Sequence, residues 1–264
     1  MNSKKINLVK GFVEVYDFGE IKLHAYQTND LMYDESYILE NKDNVLLVEF
    51  PAFYDNLKEF EEYVKGLNKN IVGKVFSDHP NGGTIFNEIK GYASEGTIKS
   101  MKEGTIYNLV TGFENSFGGT FAKEYHQITD ILKEKRVNIG GFELNITYHE
   151  ENIEIEFPQI NSVYTHMLGH DCHSIVAGEN HANVIIEQLK EYKEKGYNLI
   201  LSSHYTPETL TDVETKIAYL ENIKNIAKES KDIIEFKEAV KKEYPNYSGL
   251  NYLDMTASYF FPQN

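Results

Sequence analysis

The sequence predicts an α/β fold that opens with strands and closes with helices. The first fifty residues alternate apolar and polar side chains, the two-residue period of half-buried strands, whereas the last hundred are mainly helical with one strand inserted. Hydrophobic residues make up 41% and charged residues 25% of the 264-residue chain, as in ordinary globular domains. No linker rich in Pro, Gly or Ser divides the chain, so we expect one domain over residues 1–264, with a helical part from about residue 208.

The N-terminal half is predicted to be a sheet interrupted by a helix. Alternation and turn residues predict strands at 12–18, 21–28, 36–40, 44–50 and 71–76. Apolar residues at helical spacing predict a helix at 53–67, with Asp55 as its N-cap, and residues 84–89 can open a further helix. Between residues 91 and 120, several glycines and mixed propensities indicate only short helices or irregular structure.

The C-terminal half is predicted to continue the strands and then turn helical. Residues 137–148 indicate a hairpin that turns at Gly140 and Gly141, and strands follow at 153–157, 162–165 and 198–202. Amphipathic patterns predict helices at 180–195, 208–227 and 233–242. Thr206 and Pro207 supply the expected N-cap and first-turn proline of the second of these.

Charge excludes two classes of partner. The 41 acidic residues against 26 basic ones give a formal net charge of −15, which opposes both a phosphate backbone and an anionic membrane surface. We therefore expect a small-molecule substrate and neither nucleic acid nor membrane as partner. Without an apolar signal segment the chain is expected to be cytoplasmic, and Cys172, the lone cysteine, agrees with a reducing compartment.

Four of the nine histidines follow predicted strands: His79, His149, His166 and His204. In α/β folds, side chains converge on ligands at strand ends, because the sheet holds their origins in place while the loops stay open. These four are therefore candidate metal ligands. His24 shares the polar face of its strand, which favours exposure to solvent.

A denser group of histidines lies between residues 165 and 173. His166, His170 and His173 have i, i+4, i+7 spacing, which would align them on a helix, but Gly169 and the preceding strand argue against a helix. We expect one or two of the three to bind metal. The alternative is that His170 and His173 hydrogen-bond the loop backbone.

With these positions in order, the chain resembles the metallo-β-lactamase fold over most of residues 15–215. Residues 45–50, the following helix, and Val75-Phe76-Ser77-Asp78-His79-Pro80-Asn81-Gly82-Gly83 follow the opening of that family, in which a metal-binding loop ends in Gly-Gly. The stretch from Leu199 to Pro207 is similar to its last strand, metal histidine and following loop. The resemblance implies a four-layer αβ/βα sandwich.

The resemblance also implies an altered metal site. The family's His-x-His-x-Asp-His motif is shortened here to Asp78 and His79, so at least two of four usual ligands are missing. His149 fits the family's next ligand histidine, and His166 stands where its bridging aspartate is expected. Three imidazoles and an open position suffice for Zn²⁺ or another divalent transition metal. Asp78, Glu150 and Glu151 are the candidate bases.

Two functions follow from the resemblance. The favoured one is a hydrolase with a mononuclear site, in which a metal-bound hydroxide cleaves a small-molecule ester, amide or thioester. The alternative, motivated by the shortened motif, is a metal-free and catalytically inactive protein of the same fold that binds a small molecule or a protein partner.

Overall fold

The computed structural model describes residues 3–166 and 169–262, and within them it contains two β-sheets and seven α-helices. The predicted domain bounds, residues 1 and 264, and residues 167–168 of the histidine-rich segment lie outside the described residues. The strands are β1 (Ser3–Asn7), β2 (Phe12–Asp17), β3 (Lys22–Gln27), β4 (Glu35–Glu40), β5 (Asn44–Val48), β6 (Asn70–Phe76), β7 (Gly91–Ser94), β8 (Asp130–Leu132), β9 (Arg136–Ile139), β10 (Phe142–Tyr148), β11 (Ile153–Phe157), β12 (Ser162–Thr165) and β13 (Leu199–Ser202). The helices are α1 (Tyr54–Gly66), α2 (Glu95–Glu103), α3 (Thr105–Phe117), α4 (Glu179–Lys195), α5 (Leu210–Glu229), α6 (Ile233–Glu243) and α7 (Leu250–Phe260).

The larger sheet runs in sequence order from β1 to β8. Strands β1 to β5 pair antiparallel through short turns, and from β5 to β8 the pairing is parallel. Helix α1 makes the β5–β6 crossover and packs Leu57, Phe60 and Val64 into the apolar core on this sheet. The smaller sheet has the order β13, β12, β11, β10, β9.

The backbone contacts divide the chain into two compact units. The first comprises residues 1–167 and 200–207, and the second comprises residues 168–199 and 208–264. The second unit holds helices α4 to α7, so the C-terminal part is helical from Leu210 onward. The prediction of one domain over the whole chain stays a prediction. Among the described residues, no helix combines the length and the apolar character needed to cross a bilayer.

Most predicted elements are confirmed to within two residues, including the hairpin of β9 and β10 turned at Gly140 and Gly141. The helix expected at residues 84–89 is wrong, since that stretch forms turns. Residues 91–120, for which short helices or irregular structure were expected, form the helices α2 and α3 and also β7, a strand that was not predicted. Ser94 caps α2 by accepting the N–H of Thr97. A serine at this position is a local sign of a helix start, which was not recognised in this glycine-containing stretch.

Two predicted caps and one predicted exposure also need correction. Asp55 was predicted to cap α1, but Phe53 is at the N-cap position and forms no side-chain cap. Thr206 and Pro207 were predicted to begin the later helix, but α5 begins with a capping box between Thr209 and Asp212. His24 is buried, because Tyr63 of α1 covers its face of the sheet and donates or accepts a hydrogen bond at Nδ1, 2.8 Å away. Its Nε2 lies 2.9 Å from a Glu40 carboxylate oxygen.

Candidate metal centre

Three of the predicted histidines converge at the strand ends of the first unit. His79 follows β6, His166 directly follows β12, and His204 follows β13. Their ring centroids are separated by 4.9 Å for His79 and His204, 5.1 Å for His166 and His204, and 5.6 Å for His79 and His166. Among residues 3–166 and 169–262, they form the one group of at least three His, Cys, Asp or Glu side chains with candidate ligand atoms within 4.8 Å of one another.

The hydrogen bonds of His204 define which of its nitrogens can bind a metal. Its Nδ1 lies 3.0 Å from the backbone oxygen of Met32, and a carbonyl oxygen can only accept, so Nδ1 carries the proton. The lone pair of the neutral ring is therefore on Nε2. His204 is buried, His79 is mostly buried, and His166 is the exposed member of the group. Burial lowers the pKa of His79 to about 4, which keeps its imidazole in the neutral, ligating form.

Asp34 lies against two of these imidazoles. It directly precedes β4 and forms an antiparallel bridge with His204. Its Oδ1 is 3.2 Å from Nδ1 of His204 and 3.8 Å from Nδ1 of His79, and the side chain is fully buried. Although burial opposes it, the two imidazoles hold the pKa of Asp34 below its ordinary value. Conversely, burial acts to lower the pKa of His204, but Asp34, the Met32 carbonyl and Asp78 together raise it above its ordinary value.

Glu49 holds the loop that carries His79. It follows β5 in the left-handed region, at φ 57°, and is fully buried. Its carboxylate accepts three consecutive backbone N–H groups, from Ser77 at 2.6 Å, Asp78 at 2.9 Å and His79 at 2.7 Å. The Tyr164 hydroxyl donates a fourth hydrogen bond at 3.0 Å. Burial and the neighbouring Asp78 raise the pKa of Glu49 to about 7, against these four bonds, which favour the carboxylate.

The three candidate bases occupy different surroundings. Asp78 accepts hydrogen bonds from Asn152 Nδ2 at 3.0 Å and Ser77 Oγ at 2.7 Å. It also interacts electrostatically with all three clustered histidines. Glu151 instead accepts the N–H of Thr105 at 3.1 Å, at the start of α3, and Glu150 lines a cavity elsewhere. Asp78 is thus the candidate that accompanies the histidines.

His149 does not join the three clustered histidines. It lies exposed in the β10–β11 turn, where its backbone N–H donates to Asn152 O at 3.0 Å. Its side chain lines a cavity of about 500 Å³ together with Glu150, Ser94 and Lys133. The proposal that His149 is a ligand came from the resemblance, and it stays a prediction without a partner in the group.

The remaining two candidates, His170 and His173, lie in the second unit. His170 Nδ1 is 3.0 Å from a Glu208 carboxylate oxygen, and its Nε2 is 3.5 Å from Asp212. His173 is fully buried, and its Nδ1 lies 3.0 Å from the Tyr219 hydroxyl. Burial lowers the pKa of His173 to about 4. Both side chains thus have partners within the second unit: the acidic Glu208 and Asp212 for His170, and Tyr219 for His173.

The His170–Glu208 pair predicts a pH-dependent part of stability. The Glu208 carboxylate raises the pKa of His170 above its ordinary 6.5. The stabilisation is therefore fully present below the unfolded pKa and lost as pH rises through the higher folded pKa. We expect the melting temperature of His170→Gln to fall further below wild type at about pH 6 than at about pH 9. Glu208→Gln should remove the same increment, and equal differences at both pH values would contradict the prediction.

Sequence reasoning missed two residues of the site, Asp34 and Glu49. Asp34 precedes β4, and Glu49 lay inside the strand predicted at residues 44–50, so the rule that selected histidines after strands reached neither. Acidic residues next to buried strands, on either side, are the signal that could have found them. Their contacts with His79, however, join residues 30 to 45 positions apart in the chain, and no local pattern reports such contacts.

Comparison with known structures identifies the fold. The sec-alkylsulfatase Pisa1 from Pseudomonas sp. is similar with a TM-score of 0.63 and 16% identity, over 89% of this chain and 48% of that one. A metallo-β-lactamase family protein from Thermus thermophilus gives 0.60 and 10% identity, over 90% and 91%. The DIM-1 metallo-β-lactamase gives 0.52 and 15%, over 80% and 97%. By sequence, the chain matches no protein-family model and no curated protein.

The chain therefore has the metallo-β-lactamase fold, and the predicted α/β class is confirmed. It spans about half the length of the alkylsulfatase. At these identities the likeness establishes the fold, while the chemistry must be argued from the site itself.

Proposed function

We propose that this protein is a metal-dependent hydrolase with a mononuclear centre held by His79, His166 and His204. The observation that carries the proposal is the convergence of three imidazoles from the ends of β6, β12 and β13. Zinc as the resident ion, a small-molecule substrate and a cytoplasmic location are further parts of the proposal.

The donor set suits one divalent transition metal. Imidazole nitrogen is a preferred ligand of Zn²⁺, and catalytic zinc sites characteristically offer three protein ligands and one position for water or substrate. The Nδ1–H group of His204 already donates to a carbonyl, which leaves Nε2 to ligate. The shortened motif before Gly82 supplies Asp78 and His79 alone, which supports one ion rather than two. When bound, such an ion lowers the pKa of coordinated water to about 7 and polarises the scissile group.

Asp78 is the proposed general base. Its two carboxylate oxygens are each fixed by a hydrogen bond, from Asn152 and from Ser77, so the group has a defined orientation beside the histidines. A carboxylate so placed accepts the proton of the attacking water as the new bond forms. The proposed route of the substrate is from the side of His166, because this residue is exposed whereas His204 is buried.

The reaction proposed is hydrolysis of an ester, amide or thioester. A sulfate ester belongs in the same test, because one structural neighbour is an alkylsulfatase. The protein stripped with a chelator and reloaded with Zn²⁺ is assayed on nitrophenyl acetate, nitrophenyl sulfate, an anilide and an acyl thioester. Turnover that depends on stoichiometric metal is expected for at least one of them.

Asp78→Asn tests the assigned base. General base catalysis contributes about 10²–10⁴-fold to rate, so kcat should fall by that factor while zinc affinity is retained. Glu151→Gln is the matched control, since Glu151 caps α3 and should leave kcat unchanged. Failure to bind metal near stoichiometry would overturn the proposal. Metal binding without turnover of any compound would contradict the hydrolase assignment, whereas absence of bound metal would favour the metal-free alternative.

A further inference from the structure

Asp34 is a buried carboxylate with a divided set of contacts. One oxygen, Oδ2, accepts the backbone N–H of Ala52 at 3.2 Å. The other, Oδ1, faces Nδ1 of His204 at 3.2 Å and Nδ1 of His79 at 3.8 Å. Asp34 itself is outside the group of mutually close ligand atoms, which consists of the three histidines. Oδ2 therefore binds the backbone, whereas Oδ1 is buried without a hydrogen bond of standard geometry among the described residues and faces two candidate ligands.

We infer that Asp34 is a positioning residue: its Oδ1 favours the Nδ1–H tautomers of His79 and His204 and thereby keeps the Nε2 lone pairs available to a metal. A buried carboxylate is an acceptor, so it stabilises an N–H group that faces it. His204 has a second acceptor in the carbonyl of Met32. His79 depends more on Asp34, because the Asp34 Oδ1 is the carboxylate oxygen that faces its Nδ1, 3.8 Å away. The role in metal binding rests on the proposed function.

The conservative variant Asp34→Asn separates positioning from structural support. The asparagine carbonyl can still accept the N–H of Ala52, which directs the amide NH₂ group toward the imidazoles. An N–H donor against Nδ1 of His79 favours the opposite tautomer, with the proton on Nε2, and so removes the lone pair that a metal would need. A residue that merely held Ala52 would tolerate this change.

Asp30→Asn is the matched control. Asp30 lies in the same β3–β4 loop, and its Oδ1 accepts the N–H of Met32 at 2.9 Å. The substitution removes an acidic group from the same loop without replacing the carboxylate that faces the histidines. It therefore reports what loss of local negative charge does by itself.

The test uses two readouts on the full chain. In metal-stripped protein, ¹⁵N-histidine NMR should show Nδ1–H for His79 in wild type and Asp30→Asn, and Nε2–H in Asp34→Asn. In Co²⁺ titrations followed by visible absorption, Asp34→Asn should bind about 10–100-fold more weakly than wild type, the usual cost of losing a group that supports a ligand. Asp30→Asn should stay within about 3-fold of wild type, well below that cost.

The outcomes separate this inference from the proposed function. If wild type binds Co²⁺ and Asp34→Asn matches it in affinity and tautomer, the inference is wrong and the proposed function stands. If the tautomers change as expected but wild type binds no metal, Asp34 still orients His79 and the proposed function fails. If wild type binds no Co²⁺ and the His79 tautomer is the same in Asp34→Asn, both the inference and the proposed function are overturned.

Discussion

Replacing His204 by alanine is expected to abolish stoichiometric metal binding. Loss of a group that merely supports a ligand costs about 10–100-fold in metal affinity, and removal of one of three direct ligands should cost more than about 100-fold. His204 is buried, with its Nδ1 3.0 Å from the Met32 carbonyl oxygen and 3.2 Å from Asp34 Oδ1, and its loss leaves two imidazoles in the group. Zn²⁺ affinity by competition with a chromophoric chelator, together with metal content after gel filtration, measures the loss.

The same experiment on His149→Ala decides between the resemblance and the geometry. The resemblance makes His149 a ligand, whereas the structure leaves it exposed in the β10–β11 turn. We expect His149→Ala to retain wild-type affinity, as should His181→Ala, which removes an exposed histidine of α4. Equal losses in His149→Ala and His204→Ala would contradict the three-histidine site.

Replacing Glu49 by alanine is expected to destabilise the protein and weaken metal binding together. The three amide groups of Ser77, Asp78 and His79 lose their shared acceptor in a buried location. A buried donor left unpaired costs about 1–3 kcal/mol, so the three together should cost about 3 kcal/mol or more. In a chain of this size, that loss corresponds to a melting temperature lower by roughly 6–12 °C. Because His79, a candidate ligand, is one of the three residues that Glu49 holds, metal affinity should fall by about 10-fold or more.

Glu59 provides a matched control for Glu49. It too accepts three consecutive amides, those of Val9, Lys10 and Gly11, and the hydroxyl of Tyr26. Glu59 thus anchors the β1–β2 turn to α1, and none of these four hydrogen bonds involves a candidate metal ligand. Glu59→Ala should lower the melting temperature, by less because water reaches part of this set of hydrogen bonds, and leave metal affinity unchanged. Equal loss of metal affinity in the two variants would show that general destabilisation, and no local effect of Glu49, weakens binding.

The fold was largely predictable because its strands and helices carry strong periodic signals. Strands β11 and β12 were predicted at their observed bounds, since β-favouring residues fill each of them and turn residues follow β11. The bounds of α2 and α3 were not predicted, because glycines interrupt residues 91–120 and the residues between them have mixed propensities. Helix α3 also buries Ile106 alone, so it lacks the buried stripe on which pattern reasoning depends.

The site divides in the same way. His79, His166 and His204 were selected because each follows a strand, and side chains at strand ends tend to converge at one edge of a sheet. The same rule admitted His149, which only the packing of the β10–β11 turn separates from the others. Spacing within the chain likewise grouped His170 and His173 with His166, whereas their partners are Glu208 and Tyr219.

The sequence by itself determined the α/β class, the order of most elements and the candidate set of histidines, because periodicity and strand ends are local properties of a chain. Only the tertiary structure decided which three imidazoles converge, and that Asp34 and Glu49 lie behind them. Those contacts join residues from separate strands, brought together by sheet pairing and by burial of the apolar core. The distance between two side chains depends on that packing, and the number of residues between them in the sequence does not determine it.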